Sequence, residues 1–183
     1  MKQFIKRIVF NVCNLYFDLR FKRFLKTVDS KSNVYIIDID NTLAHTWPSL
    51  QHKAYQSDNK RYRSLAIFIG MRNFILNKIK KQQKVVFISA RSFLSYPATR
   101  NWLFETGLSG PGIQLVLVAR PDDKLKYINT ILNSGHGVTY IDDLSYNHEN
   151  GEMKLYSDLI RQVRELPIQY YGIDEIELIN SKP

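Results

Sequence analysis

The sequence predicts an α/β protein, a three-layer sandwich around a mostly parallel central sheet, and three observations lead there. Four short, mainly apolar runs, at 35–37, 85–88, 113–118 and 138–141, have the length and prevailing apolarity of strands buried on both faces. Segments with helical spacing separate them, the alternation that a right-handed parallel sheet produces. Each run then ends in polar side chains, which is where open parallel sheets hold their ligands.

Taken in order, residues 3–28 read as a helix with two apolar stripes. Phe4, Ile8, Val12, Leu15 and Leu19 form one, and Phe10, Cys13, Phe17, Phe21 and Phe24 the other, leaving a narrow polar face with bases at both ends. Asn11 and Asn14 interrupt the apolar region and no small-residue cleavage pattern follows, so the segment does not read as a secretory signal. A helix of this kind binds a membrane surface, a partner or the domain itself. Residues 1–31 are therefore set apart as a basic amphipathic extension of a domain at 32–183. A polar junction at 29–33 leads into the first strand.

The polar segment at 44–64 is too short for an independently folded cap and holds a loop and one short helix. Helical spacing returns over 65–81 through Ile67, Met71, Phe74, Ile75 and Ile79, ending in bases suited to a helix carboxyl end. After the strand at 85–88, a helix spans 96–106, with Pro97 in its first turn and Gly107 as its stop. The strand at 113–118 is followed by a helix over 123–132 that Asp122 can cap. Beyond the strand at 138–141, residues 155–163 read as a short helix, and 169–173 and 177–179 as strand or edge structure.

Composition narrows the class. An apolar fraction of 44% with 23% charged residues in 183 residues fits a globular domain and excludes a disordered one. The single Cys13 excludes an internal disulfide and suits a reducing compartment. No apolar run approaches the ~20 residues that a membrane-spanning helix needs. The expected location is the cytoplasm, with peripheral contact at the inner membrane face if residues 1–28 bind lipid. The net charge of +9 is uneven: residues 1–31 carry eight bases against Asp18 and Asp29, leaving +3 for the rest. That excess can attract an anionic membrane face, an acidic partner or nucleic acid. Nucleic acid is disfavoured, because bases and aromatics do not interleave around the strand-end loops.

The strand ends supply a matched set of groups. Asp38 and Asp40 close the first strand, Ser89 the second, a polar segment ending at Lys124 the third, and Asp142 with Asp143 the fourth. Phosphoryl transfer requires an in-line nucleophile and positive charge around the equatorial oxygens. Asp38 is placed to attack phosphorus. Asp40, on the same side of an ideal extended backbone, can protonate the leaving oxygen and then activate water. Two carboxylates facing a phosphate dianion need a cation, and Asp38 with Asp142 offer oxygen ligands to Mg²⁺ while Asp143 holds waters or orients the cluster. Ser89 can donate to a phosphate oxygen. Lys124 supplies fixed charge, in preference to Lys126, because it shares helical spacing with Ile128 and Ile131. Thr42 holds the turn after Asp40 and, with Arg91 just past Ser89, is a candidate substrate contact.

The ordered set formed by Asp38-Ile39-Asp40-Asn41-Thr42, Ser89, Lys124 and Asp142-Asp143 resembles the four motifs of the haloacid dehalogenase-like phosphohydrolase superfamily, over residues 34–148. The resemblance implies a Rossmann-like fold with a small or absent cap and a phospho-aspartyl intermediate on the residue matching Asp38. It implies that Asp40 is the acid and base, with its backbone carbonyl also on Mg²⁺, and that Ser89 and Lys124 stabilise the phosphoryl group. It further implies that Asp142 is a magnesium ligand and Asp143 an auxiliary acid. The presence of Asp40 favours a phosphatase over the dehalogenases. Two positions depart from the pattern: Asn41 stands where many relatives have Gly, and Ala90 where Gly often follows the motif hydroxyl.

The expected activity is hydrolysis of a phosphomonoester, carried by a small molecule or by the phosphorylated end of a larger substrate. A polynucleotide-end phosphatase is a narrower form of the same reading, and a catalytically weak binding or scaffold protein is the alternative from a different class. Without a large lid, specificity falls to loops: His45, Trp47, His52, Tyr55, Arg61 and Tyr62 after the first motif, and Tyr146, Asn147 and His148 after the fourth.

Overall fold

A computed structural model describes residues 2–51 and 57–181. Among them, β1 (Asn33–Ile37), β2 (Lys84–Ser89), β3 (Ile113–Leu117), β4 (Gly137–Ile141) and β7 (Gln169–Tyr171) form one sheet in the order β3-β2-β1-β4-β7. Every neighbouring pair in it is parallel. A hairpin of β5 (Ser145–Tyr146) and β6 (Lys154–Leu155) lies between β4 and β7 in the chain. In register, Ile36 faces Val86 on one side and Tyr140 on the other, all buried. This is the three-layer, mostly parallel α/β sandwich that the continuous apolar runs predict.

The connections locate the ligand end of the sheet. From β1 the chain steps outward through α4 (Ile69–Lys80) to β2, then through α5 (Tyr96–Glu105) to β3. It then crosses back over the sheet through α6 (Lys124–Asn133) to β4 and continues through α7 (Ser157–Glu165) to β7. Right-handed crossovers in opposite directions place the two pairs of helices on opposite faces. The order reverses at β1, so a crevice opens between the carboxyl ends of β1 and β4, the position where such sheets bind ligands.

Helix α1 (Lys2–Leu25) is docked on this body by its second stripe. Phe17, Phe21 and Phe24 are buried, and Phe21 stacks edge-on against Tyr127 of α6 at 4.9 Å. Polar pairs fix its angle: Arg20 donates to the Tyr96 hydroxyl at 3.0 Å, and Asp18 receives both Lys126 and the Tyr127 hydroxyl.

Several elements differ from the sequence reading for local reasons. The segment at 44–64 contains two short helices, α2 (Trp47–Gln51) and α3 (Asp58–Arg63), the second capped by Ser57. Helix α4 begins at Ile69 because the residues before it run extended against the chain following β1: His45 N–H donates to Ala66 O at 2.9 Å and Phe68 N–H to Leu43 O at 2.9 Å. At the turn before α6 it is Asp123, not Asp122, whose carboxylate accepts the Arg120 N–H, at 3.1 Å. Residues 177–179 are not a strand but part of α8 (Ile173–Asn180), whose first turn is closed by Glu175 accepting the Gly172 N–H at 2.9 Å. Helix α8 packs on α4, and Gly70 makes the contact close: a Cβ there would lie 2.3 Å from Ile179 O.

Candidate active site

Both halves of the crevice are built by chain that leaves a buried strand. Asp38 N–H still donates to Ile141 O at 2.9 Å, continuing the β1–β4 ladder, so its carboxylate emerges beside those of Asp142 and Asp143. The turn that follows needs a residue with positive φ, and Asn41 supplies it at φ 59°. Its side-chain oxygen then accepts the Trp47 N–H at 3.0 Å, so Asn41 also anchors α2.

On the β4 side, Asp38, Asp142 and Asp143 are all buried, with carboxylate oxygens within 4.8 Å of one another. Lys124, the first residue of α6, reaches between them from the crossover, its Nζ 2.6 Å from both Asp38 Oδ1 and Asp142 Oδ2. Lys126 points away, to Asp18 of α1. Burial works against the Lys124 ammonium, but Asp142 and Asp38 hold its pKa above the ordinary lysine range. Burial drives the Asp38 pKa well above the usual carboxylate value, and Lys124 only partly offsets that. Burial and the charge of Asp142 raise Asp143 to about 7, against hydrogen bonds from Ser145 and Thr42.

One ammonium among three buried carboxylates leaves negative charge unbalanced, and the donor set is all oxygen. Such a set suits a hard divalent cation, and the three aspartates can chelate one. Asp40 is not part of this cluster through its side chain.

On the β2 side the picture reverses. Asp40 receives Arg91 in a two-point clamp, Nε to Oδ2 at 2.8 Å and Nη2 to Oδ1 at 2.7 Å. Ser89 Oγ adds a bond at 3.0 Å and Thr46 Oγ1 one at 2.8 Å. Burial opposes ionisation here too, yet Arg91, aided by Thr46 and Ser89, holds Asp40 down to about 2. Arg91 is itself fixed from behind by Thr99 at 3.1 Å and by the Tyr62 ring, 4.0 Å from the guanidinium carbon.

A small cavity of about 150 Å³ collects Asp38, Asp40, Lys124, Asp142 and Asp143 on its wall, so most of the predicted site meets in one place. Thr42 lies beneath it, accepting the Asp143 N–H and donating to its carboxylate, both at 3.2 Å. Ser89 and Arg91 stand behind Asp40. A larger cavity of about 560 Å³ adjoins, sharing Asn41 and Asp143 and walled by Trp47, Phe68, Met153 and Ile176. Of the predicted specificity residues, Trp47 and His148 line it. His45 packs on Phe68 and Trp47, Tyr62 backs Arg91, and Arg61 pairs with Asp58. His52 and Tyr55 lie outside the described residues.

Several supports escaped the sequence reading. Tyr140 donates to Asp142 Oδ2 and Tyr170 to the Asp142 carbonyl at 2.9 Å. Leu144 takes a positive φ of 45°, an uncommon conformation for a large side chain, and its N–H turns back to Asp142 Oδ1 at 2.9 Å. Ser145 donates to Asp143 and hydrogen-bonds His148 Nε2 at 2.6 Å. The period of a strand points Tyr140 and Asp142 to the same side, a signal that could have paired them; nothing comparable marks Thr46 or Ser145.

No protein-family model matches this chain, and no curated protein matches it. The parallel Rossmann-like sheet and the aspartate cluster at its switch point are consistent with a haloacid dehalogenase-like fold.

Proposed function

We propose that this protein is a Mg²⁺-dependent phosphomonoester hydrolase acting through a phospho-aspartyl intermediate on Asp38. The observation that carries this reading is the position of Asp38: at the carboxyl end of the central strand, inside a trio of buried carboxylates, with Lys124 at 2.6 Å. A cation held by Asp38, Asp142 and Asp143 would screen the charge of the phosphate and polarise it.

The chain's own groups account for the remaining steps. With the positive charge of Lys124 and of a held cation favouring its ionised form, an Asp38 carboxylate oxygen attacks phosphorus, the bond from phosphorus to the ester oxygen breaks, and Asp40 delivers a proton to the departing alcohol. Water then attacks the acyl-phosphate, Asp40 takes its proton, and inorganic phosphate leaves as the Asp38 carboxylate is regenerated. Lys124 holds charge on the phosphoryl oxygens throughout. An Asp40 held near 2 is seldom protonated. The first step therefore calls for the arriving phosphate to draw Ser89 and Arg91, both already at Asp40, towards its own oxygens. The adjoining apolar cavity receives the alcohol part of the substrate, with Trp47 as its aromatic wall.

A phosphate-release screen with Mg²⁺ across phosphosugars, nucleotides, phosphoamino acids, lipid phosphates and nucleic-acid ends tests the reading. Activity on one class, with losses of about 10⁴-fold or more in Asp38→Asn, is the expected result. Turnover of wild-type magnitude in that variant would remove the covalent mechanism, and no release from any class would leave the scaffold alternative standing.

A further inference from the structure

Helix α1 has two apolar stripes, and among the described residues the fold buries one of them. Phe17, Phe21 and Phe24 bury theirs against the domain, while Ile8, Val12, Leu15 and Leu19 are 46%, 60%, 58% and 50% exposed. Steps of four, three and four residues keep the exposed set in line. At about 100° per residue, that line falls on the opposite side of the helix from the buried phenylalanines. One domain surface cannot cover both sides of a helix.

We propose that this outward stripe docks the protein on an anionic lipid surface. Exposed Lys22 and Arg23 flank the stripe on either side at its carboxyl-terminal end, and exposed Lys26 continues it. Residues 1–31 hold eight bases. Asp18, the acid of this helix, is turned to Lys126 and Tyr127 of α6 and contributes no negative charge to the stripe. Aliphatic side chains flanked by bases are the pattern of a helix lying in a membrane interface, the chains entering the acyl boundary and the bases meeting lipid phosphates. A second copy seated on the same stripe would bring like charges together. Nucleic acid would use the bases and leave the aliphatic side chains in water.

The placement of the helix gives the docking a direction. Its carboxyl end feeds the start of β1, and its middle packs on Phe93 and Tyr96, just past the carboxyl end of β2. It therefore runs antiparallel to the strands. Its 24 residues span about 36 Å against about 17 Å for a five-residue strand. The amino-terminal turns thus extend on the side of the sheet where the crevice opens, and a helix lying flat in the interface holds that crevice beside the bilayer surface, opening along its plane.

Co-sedimentation of the full chain with phosphatidylcholine vesicles, with and without phosphatidylglycerol, provides the test. Binding is expected only to the vesicles containing phosphatidylglycerol. It should weaken roughly fivefold for each of Lys22→Ala and Arg23→Ala and fall below detection for the pair Val12→Asp with Leu15→Asp. All four positions are exposed, so these variants should keep the wild-type circular dichroism. Failure to bind the anionic vesicles, or equal binding to neutral ones, overturns the proposal. So does a wild-type dimer in light scattering that the paired aspartates convert to monomer without any effect of vesicles.

Discussion

Asp38 and Asp40 are two residues apart and line one cavity, yet the structure treats them oppositely. Asp38 lies among like charges, so burial lifts its pKa well above the ordinary range and a single lysine leaves the cluster negative. Asp40 meets a buried guanidinium and two hydroxyls, and is held at about 2. The same side chain is thus part of an unbalanced carboxylate cluster on the β4 side and a balanced ion on the β2 side. Environment, not residue type, separates the two roles. The β4 half has negative charge left over for a cation; the β2 half is balanced within itself.

Removing the base from each half should expose the difference. Lys124→Met leaves three buried carboxylates without their counter-ion and should cost about 3–5 kcal/mol of stability without metal. Mg²⁺ should restore part of that loss, because the cation replaces the missing positive charge. Arg91→Met strands only Asp40, whose side chain is 29% exposed and can be hydrated, so a smaller loss of about 2 kcal/mol is expected. Mg²⁺ should not restore it. Thermal unfolding of the two variants, with and without Mg²⁺, makes the comparison, and equal rescue in both would break it.

The fold was legible in the sequence because a strand covered on both faces is mostly apolar, as 85–88 is throughout and 138–141 is except for Thr139. The residues of the β4 half were legible for a related reason, since Asp38 and Asp142 each end such a run, whereas the pairing of their two strands shows only in the order of the sheet. The β2 half was not legible. Arg91 stood out as a polar residue at the ligand end, but its turn back onto Asp40 depends on the space that Thr99 and Tyr62 leave it. The hairpin of β5 and β6 was missed because two-residue strands are too short to show a period. Helix α8 was misread because Ile173, Ile176 and Ile179 follow so closely on β7 that their helical spacing merges with the strand.

Proton and cation should compete on the β4 side alone. An Asp143 raised to about 7 binds its proton more tightly in the folded chain than in the unfolded one. The metal-free fold therefore loses stability as pH rises from the ordinary carboxylate range towards 7, and loses no more above it. A cation needs the ionised form, so its affinity should fall about fivefold between pH 7 and pH 6, and about tenfold per unit below that. Asp40 has the opposite sign: its contribution is fully present above the ordinary carboxylate pKa and is lost only as pH falls through about 2. Titration calorimetry with Mg²⁺ at several pH values reads the first, and acid unfolding of Asp40→Asn against wild type reads the second.

The smallest expected effect sharpens the comparison by moving away from the charges. Trp47 stands on the wall of the larger cavity, and its backbone N–H is bonded to Asn41 in the turn that follows Asp40. If that cavity takes the alcohol half of the substrate, Trp47→Ala removes apolar contact that is the same in ground and transition states. KM should rise about fivefold with kcat nearly unchanged, and Mg²⁺ affinity should stay at the wild-type value because no cluster carboxylate has moved. A fall in kcat instead would mean that the indole acts through the Asn41 turn on Asp40. Phe68→Ala separates the two cases: Phe68 lines the same cavity from outside the segment that joins Asn41 to Trp47, so a KM effect shared by both variants assigns the cavity to substrate.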